Sequence, residues 1–153
     1  MQSITLVIKS LKKDYPEFHF SIGDDFLWSH KDKTIYYSAN DDEISFLFHE
    51  LAHAVLGHRD YKKDVELLKM EATAWEKAIE LAKKYKIKID DDLVESTLDT
   101  YRDWLHARST CTKCQAIGLQ IKKDTYKCIA CDNHWRVNEA RSCALRRYNL
   151  NTK

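Results

Sequence analysis

Two histidines four residues apart, with a glutamate beside the first, are the residues in this sequence best suited to do chemistry. They form one HExxH pattern, His49-Glu50-Leu51-Ala52-His53. On a helix, residues four apart lie on one face, so both imidazoles can bind one zinc ion. Glu50 can then act as the general base toward a water on that metal. The pattern predicts zinc-dependent hydrolysis of the metallopeptidase type, and its alternative is a buried helix with two hydrogen-bonded histidines.

Hydrolytic zinc sites have a third protein ligand, and two nearby ways of supplying it do not fit this sequence. Metzincins place a Gly and a His three and six residues after the second histidine, but Leu56 and Arg59 stand there. His58 follows Gly57, which we expect to end the helix. We therefore interpret His58 as a residue at the rim of the site rather than as a ligand.

A glutamate on a later helix is the third candidate. Residues 64–85 have an apolar arc at helical spacing, and Glu71 falls in the middle of it. A buried carboxylate is costly unless it is paired or binds a metal, and zinc held by two histidines is a suitable partner. We favour Glu71 as the third ligand, and the alternative is a buried glutamate paired with Arg or Lys. The candidates for a second oxyanion-stabilising group are Tyr36, Tyr37, Tyr61, Tyr101 and His58.

These two helical segments resemble the ImmA/IrrE family of gluzincin-type metallopeptidases. Residues 48–58 carry HExxH, and residues 70–75 contain Glu-Ala-x-x-aromatic beginning at Glu71. The resemblance covers roughly residues 34–85. It implies zinc on the two motif histidines and Glu71, with Glu50 as the base. It also implies cleavage of a protein substrate, by analogy a regulatory protein such as a repressor.

The sequence is also compatible with two other functions. The sequence is also similar to SprT-like proteases, which join HExxH to a C-terminal zinc ribbon and act on DNA-associated proteins. Their third zinc ligand is a further histidine, and this chain has none between His58 and His106. The second alternative is a non-catalytic module that binds nucleic acid or protein on the same scaffold.

Four cysteines predict a second zinc site. Cys111 and Cys114 form one CxxC pair, Cys128 and Cys131 form another, and thirteen residues separate the pairs. This is the spacing of a zinc ribbon, in which two knuckles are joined by a hairpin, here at residues 117–127. Four thiolates leave no open coordination position, so we expect a structural site. Two disulfides would be the alternative in an oxidising compartment.

The end of the chain is basic. Residues 109–153 contain 9 Lys and Arg against 3 Asp and Glu, whereas residues 1–108 contain 16 against 21. Such a segment could bind nucleic acid or an acidic protein surface, and the alternative is a solvated basic face with its aromatic residues packed beneath it. The residues concerned are Arg136, Arg141, Arg146 and Arg147, with Trp135 and Tyr148 between them. Ala140, Ala144 and Leu145 place Cys143 on a predicted C-terminal helix as a buried apolar residue.

The remaining elements are predicted to position these groups. We expect an α+β fold in which residues 1–108 form a zincin-like core and residues 109–153 form a four-cysteine zinc ribbon with a C-terminal basic helix. The core combines a short antiparallel sheet with the HExxH helix and the glutamate helix. We expect the strand at residues 34–38 to offer its free edge to an extended peptide. The other predicted elements are a helix at residues 4–15, strands near 18–22 and 26–28, and a helix that begins after 90–92.

The composition fits one small domain with an appended module. The chain has 153 residues, 44% of them hydrophobic, with three Gly and one Pro. No apolar run approaches the length of a membrane span, and the start of the sequence lacks the apolar region of a signal peptide. Paired CxxC motifs favour metal over disulfides, so we expect a cytoplasmic protein with two zinc ions per chain, one catalytic and one structural.

Overall fold

The computed structural model describes residues 2–139, 141 and 143–150 of the chain. Within these residues the fold is α+β, with four α-helices, one short 3₁₀ helix and two small sheets. The chain divides into two units: Met1–Asp60 with Met70–Val94, and Tyr61–Lys69 with Glu95–Lys153. The predicted α+β class is therefore confirmed. The predicted domain boundary between residues 108 and 109 stays a prediction.

The helices and strands follow one another as expected from the sequence, with one exception at the end of the chain. In order they are α1 (Ile4–Asp14), β1 (His19–Ile22), β2 (Leu27–Ser29), β3 (Thr34–Tyr37), the 3₁₀ helix (Asp41–Glu43), α2 (Ile44–Leu56), α3 (Asp64–Lys84), α4 (Asp91–Ser109), β4 (Gly118–Lys122), β5 (Thr125–Cys128), β6 (His134–Val137) and β7 (Arg147–Leu150).

Capping contacts fix the start of the 3₁₀ helix that leads into α2 and the C-terminal end of α2. The Asn40 side chain accepts a backbone N–H two residues further on, at 3.1 Å, which caps the 3₁₀ helix that leads into α2. Gly57 ends α2 with a φ of 68°, and the N–H groups of Gly57 and His58 bond to carbonyl groups of the last turn. A residue without Cβ adopts this left-handed backbone at little cost. The predicted end of this helix at Gly57 is thus confirmed.

The sheet of the first unit has the strand order β1-β3-β2. Strands β2 and β3 are antiparallel and are joined by a turn in which Lys33 has a φ of 49°. Strand β3 is parallel to β1, with Phe20 opposite Ile35. The expected antiparallel sheet is therefore wrong for this pairing. Strand directions alternate along the chain, but β3 occupies the position between β1 and β2, so it lies beside a strand of its own direction.

The edge predicted at residues 34–38 is also wrong, because β3 is hydrogen-bonded to a strand on each side. Strands β1 and β2 are the outer strands of this sheet. An extended peptide could add to this sheet only at one of those two strands.

Apolar side chains from α1, the sheet, α2 and α3 form the core of the first unit. Burying each large apolar side chain is worth about 1.5–3 kcal/mol, so this core stabilises the helix pair that carries the HExxH motif and Glu71. The buried set is Ile4, Val7, Ile8, Leu11, Phe20, Ile35, Ile44, Leu47, Phe48, Leu51, Ala52, Ala74, Trp75 and Ala78.

The sheet of the second unit has four antiparallel strands in the order β4-β5-β6-β7. Strands β4 and β5 form the hairpin predicted at residues 117–127. The predicted C-terminal basic helix is wrong, because Arg147–Leu150 forms β7 and pairs with β6. Cross-strand hydrogen bonding thus outweighs a short run of helical spacing.

The segment before β7 is held by Asn138. Its amide oxygen accepts the N–H of Arg146 at 2.7 Å, and its amide nitrogen donates to the carbonyl of Ala144 at 2.9 Å. Cys143 is exposed, so its predicted burial is wrong. Ala140, the first residue of the predicted apolar spacing, lies outside the described residues.

In the second unit, a polar cluster joins residues of five elements, α3, α4, β4, β5 and β6. Asp64, at the start of α3, accepts hydrogen bonds from Arg108 Nε at 2.8 Å and from the Tyr126 hydroxyl. The N–H of Asp64 donates to Gln120 Oε1 at 2.7 Å. Trp135 stacks on Tyr126 and donates its indole N–H to the carbonyl of Arg108 at 2.9 Å. Burial, together with the Asp64 carboxylate, raises the pKa of Tyr126.

No helix among the described residues has the length and apolar character needed to cross a membrane.

Candidate metal centres

The first unit brings His49, His53 and Glu71 together. His49 Nε2 lies 2.8 Å from Glu71 Oε2 and 3.1 Å from His53 Nε2, and His53 Nε2 lies 3.4 Å from Glu71 Oε1. All three side chains are buried. Three atoms with lone pairs therefore face one another in a small space that water reaches poorly.

The elements explain this convergence. The two histidines lie one turn apart on α2, and Glu71 lies on α3 among the buried residues of that helix. Trp75, one turn after Glu71, stacks on the His49 ring with 4.2 Å between centroids. Trp75 also packs edge-on against Phe46. Apolar contacts thus hold the His49 side of the cluster.

The cluster has the dimensions of a metal site. Tetrahedral zinc with Zn–N bonds of about 2.0–2.1 Å has ligand atoms roughly 3.3 Å apart, close to the three distances above. The ligand atoms all lie within 4.8 Å of one another. Burial favours the neutral Glu71 carboxyl, but the hydrogen bonds of His49 and His53 outweigh burial and lower its pKa to about 2. An ionised carboxylate with two imidazoles is a donor set that suits zinc.

Glu50 lies beside this cluster on α2. Its Oε2 accepts the backbone N–H of Trp28, in β2, at 2.8 Å. Burial raises the pKa of the Glu50 carboxyl, and the charges of His49 and His53 act in the opposite direction. One carboxylate oxygen is therefore held in place while the residue keeps the capacity to accept a proton on the other.

His58 contacts the outer side of the His53 ring. Its Nδ1 lies 2.9 Å from His53 Nδ1, so the nitrogen of His53 that faces His58 is not the one that faces Glu71. Burial, with His53 nearby, lowers the pKa of His58. Of the five side chains considered for a second oxyanion donor, His58 contacts a cluster residue, His53. Tyr101 is engaged by Arg141 in the second unit.

The second unit brings the four cysteines together. Cys111 Sγ lies 3.7 Å from Cys131 Sγ, and Cys114 Sγ lies 3.4 Å from Cys128 Sγ. Disulfide sulfurs are about 2.05 Å apart, whereas the edges of a tetrahedral zinc–thiolate site are roughly 3.8 Å, since Zn–S is about 2.3 Å. The structure therefore fits a four-cysteine metal site and not two disulfides.

Hydrogen-bond donors lower the pKa of Cys111 and Cys128, whereas burial and the neighbouring thiols raise the pKa of Cys114 and Cys131. Lys113 N–H points to Cys111 Sγ, and Ala130 N–H points to Cys128 Sγ, both at 3.4 Å. The buried Asn133 amide also donates to Cys111 Sγ. Burial alone would raise the pKa of Cys111, but these donors lower it to about 6. Thiolates are the form in which cysteine binds metal.

The basic residues of the second unit are only partly arranged as a binding surface. Trp135 is fully buried and is not available to a partner. Tyr148 is exposed, and the Arg136 guanidinium lies over its ring at 5.0 Å. Binding of nucleic acid or of an acidic protein surface stays a prediction.

The sequence predicted the three residues that converge but not the groups that support them. Trp28 contributes through its backbone, which leaves no sequence signal, and it precedes Glu50 by 22 residues. Trp75 was noted only as an aromatic residue in the family-like motif. His58 had a signal, since it directly follows the helix-ending glycine.

Comparison with known proteins gives no relative: no protein-family model, no curated protein and no solved structure matches the chain.

Proposed function

We propose that this chain is a zinc-dependent metalloendopeptidase that hydrolyses a peptide bond in a protein substrate. The observation that carries the proposal is the convergence of His49, His53 and Glu71 beside Glu50, whose carboxylate the N–H of Trp28 holds. A bound metal explains why two buried imidazoles face a buried carboxylate. The first unit then acts as a zincin-like core of the gluzincin type.

In this mechanism His49, His53 and Glu71 would hold the zinc ion. When bound, zinc would lower the pKa of water toward 7 and polarise the scissile carbonyl. Glu50 accepts the proton of the attacking water through the carboxylate oxygen that Trp28 leaves free, and it then passes a proton to the leaving amine. Its raised pKa suits both steps, because a base that must return its proton should not be too weakly basic.

Strand β2 is the edge we propose for the substrate. The backbone N–H of Trp28 points away from β3 to Glu50, so this side of β2 lies next to the proposed base. Because Glu50 occupies the outward N–H of Trp28, a peptide added beside β2 would pair with the other outward backbone groups of this strand, which would carry its scissile bond past Glu50. Main-chain pairing of this kind favours an extended or unfolded segment of a protein substrate.

The identity of the proposed third zinc ligand also distinguishes between the two family resemblances. The third ligand atom is a carboxylate oxygen of Glu71, which supports the ImmA/IrrE resemblance over the SprT-like alternative with its third histidine. By that analogy alone, a regulatory protein such as a repressor is the proposed substrate. The four-cysteine cluster, with a hairpin between its two CxxC pairs, is proposed as a structural zinc ribbon.

Two substitutions test the function side by side. Glu50→Gln cannot accept a proton, so cleavage should fall by roughly 10² or more while zinc stays bound. Glu71→Gln removes an anionic ligand, so the zinc content of this site and the cleavage rate should fall together. Zinc per chain is measured by elemental analysis, and cleavage of a peptide library is measured by mass spectrometry.

Glu76→Gln is the matched control, since Glu76 is an exposed residue of α3. It should change neither zinc content nor cleavage. Equal cleavage by the parent and by Glu50→Gln would show that another group is the base. A parent protein that binds no zinc dependent on Glu71 would overturn the proposed function.

A further inference from the structure

His58 makes a contact that the proposed hydrolysis does not use. We infer that His58 is a positioning residue, which accepts a hydrogen bond from Nδ1 of His53 and so fixes that imidazole for metal binding. The inference rests on the proposed zinc site, but it concerns how firmly the metal is held and not the hydrolytic step. Its geometric basis is the 2.9 Å distance between the two Nδ1 atoms.

The chemistry of imidazole gives the direction of this bond. His53 Nε2 faces His49 and Glu71, so it must present a lone pair to a metal there. A neutral imidazole carries one proton, which then resides on Nδ1 and needs an acceptor. His58 Nδ1 is that acceptor, and the proton of His58 then resides on its own Nε2. The pair thus holds His53 in the tautomer that binds metal.

The backbone is built to place His58 there. Gly57, with its φ of 68°, reverses the chain at the end of α2, and the N–H of His58 donates to the carbonyl of His53 at 3.0 Å. His58 therefore contacts His53 both through its backbone N–H and through its ring. Two contacts between the same residues restrict the ring of His53 more than one would.

The other ligand imidazole lacks such support. His49 Nδ1 is buried and has no hydrogen-bond partner among the described residues, and its ring is held by stacking on Trp75. Metal-bound histidines usually donate their second ring N–H to an acceptor. His58 supplies that acceptor for His53, so its removal should affect metal retention strongly.

A ligand role for His58 does not fit the geometry. Its Nδ1 lies on the side of the His53 ring opposite to Nε2, and the three atoms that converge belong to His49, His53 and Glu71. A residue that supports a ligand differs from a ligand in one testable respect. An amide side chain can replace the supporting residue, provided that the amide offers an acceptor in the same place.

The test compares three variants for zinc affinity at this site, measured by competition with a chelator. The site is identified as the zinc that Glu71→Gln loses. His58→Ala removes the acceptor and should weaken zinc binding by about 10–100-fold. His58→Asn places Oδ1 where Nδ1 stood and should restore most of that loss. His30→Ala, at an exposed histidine of the same unit, should leave the affinity unchanged.

Thermal unfolding of the metal-free proteins separates positioning from folding. His58 is partly exposed, so we expect the metal-free parent and His58→Ala to unfold at similar temperatures. Unchanged zinc affinity in His58→Ala would overturn the inference and leave the proposed function standing. If His58→Asn bound zinc as weakly as His58→Ala, the inference would also be overturned. A parent without a zinc ion dependent on Glu71 would overturn both.

Discussion

Asp64 and Arg108 form a buried ion pair in which each side chain is at most 6% exposed. The pair is hydrogen-bonded on several sides, since Asp64 also accepts from Tyr126 and Arg108 donates to the carbonyl of Asn138. A charge in such surroundings is tolerated because its partners replace the water that it has lost. Removing one partner alone would therefore leave the other as an unpaired buried group.

The first prediction concerns this pair. Asp64→Ala should destabilise the protein by about 3–5 kcal/mol, because Arg108 is left as an unpaired buried charge. Changing both residues, Asp64→Leu with Arg108→Met, should cost less than Asp64→Ala alone. The free energy of unfolding is measured by urea titration with zinc in excess.

Asp99→Ala serves as the comparison, since Asp99 pairs with Arg102 on the exposed surface of α4. Its stability should stay close to that of the parent, because exposed ion pairs contribute little. If Asp64→Ala behaved like Asp99→Ala, the buried pair would not carry the stability that its geometry implies.

The convergence of His49, His53 and Glu71 could be predicted from the sequence because local patterns point to each of them. The spacing of His49 and His53 predicts a shared face, and the apolar neighbours of Glu71 predict a buried carboxylate that needs a partner. The supports could not be predicted in the same way. Trp28 acts through a backbone group that every residue except proline has, and Asp64 lies 62 residues from Tyr126 in the sequence.

Helices proved more predictable than sheets at the scale of elements. The apolar periodicity of α1, α2, α3 and α4 is local, so it indicates both the helix and its buried face. Strand order is not local. The position of β3 between β1 and β2, and the pairing of Arg147–Leu150 with β6, depend on contacts that no short pattern encodes.

Gly118 provides the prediction that belongs to the second sheet. A Cβ at Gly118 would lie 2.5 Å from Trp135 Cη2 and 2.7 Å from the Lys127 carbonyl oxygen. The carbonyl belongs to a paired strand and the indole is fully buried, so neither can move freely. Gly118→Ala should therefore destabilise the protein by about 1–3 kcal/mol.

Gly23 offers a matched control for that substitution. A Cβ at Gly23 would lie 3.8 Å from the nearest atom of Tyr36, which is an ordinary contact. Gly23→Ala should leave the midpoint of urea unfolding almost unchanged, whereas Gly118→Ala should lower it clearly. Similar midpoints for the two variants would mean that β4 can shift away from Trp135.

At the scale of the whole molecule, each candidate metal centre draws its ligands from a single unit. His49, His53 and Glu71 belong to the first unit, and the four cysteines belong to the second. The two sets also differ in chemistry. The set of two imidazoles and one carboxylate has three protein donors and suits a site that keeps one position open. The four-cysteine set has no open position.

This separation predicts two zinc ions per chain that are lost independently. Cys111→Ser together with Cys114→Ser removes two of four thiolates, so one zinc ion should be lost and the zinc that depends on Glu71 should remain. Cys143→Ser is the control, because Cys143 is exposed and lies outside the four-cysteine group. It should retain both metals.

Elemental analysis after dialysis should give about two zinc ions for the parent and the control, and about one for the double variant, since four-thiolate sites need all their ligands. Loss of both metals from the double variant would show that the site with two imidazoles and one carboxylate depends on the four-cysteine site, and a single zinc in the parent would show that one of the two clusters does not bind it.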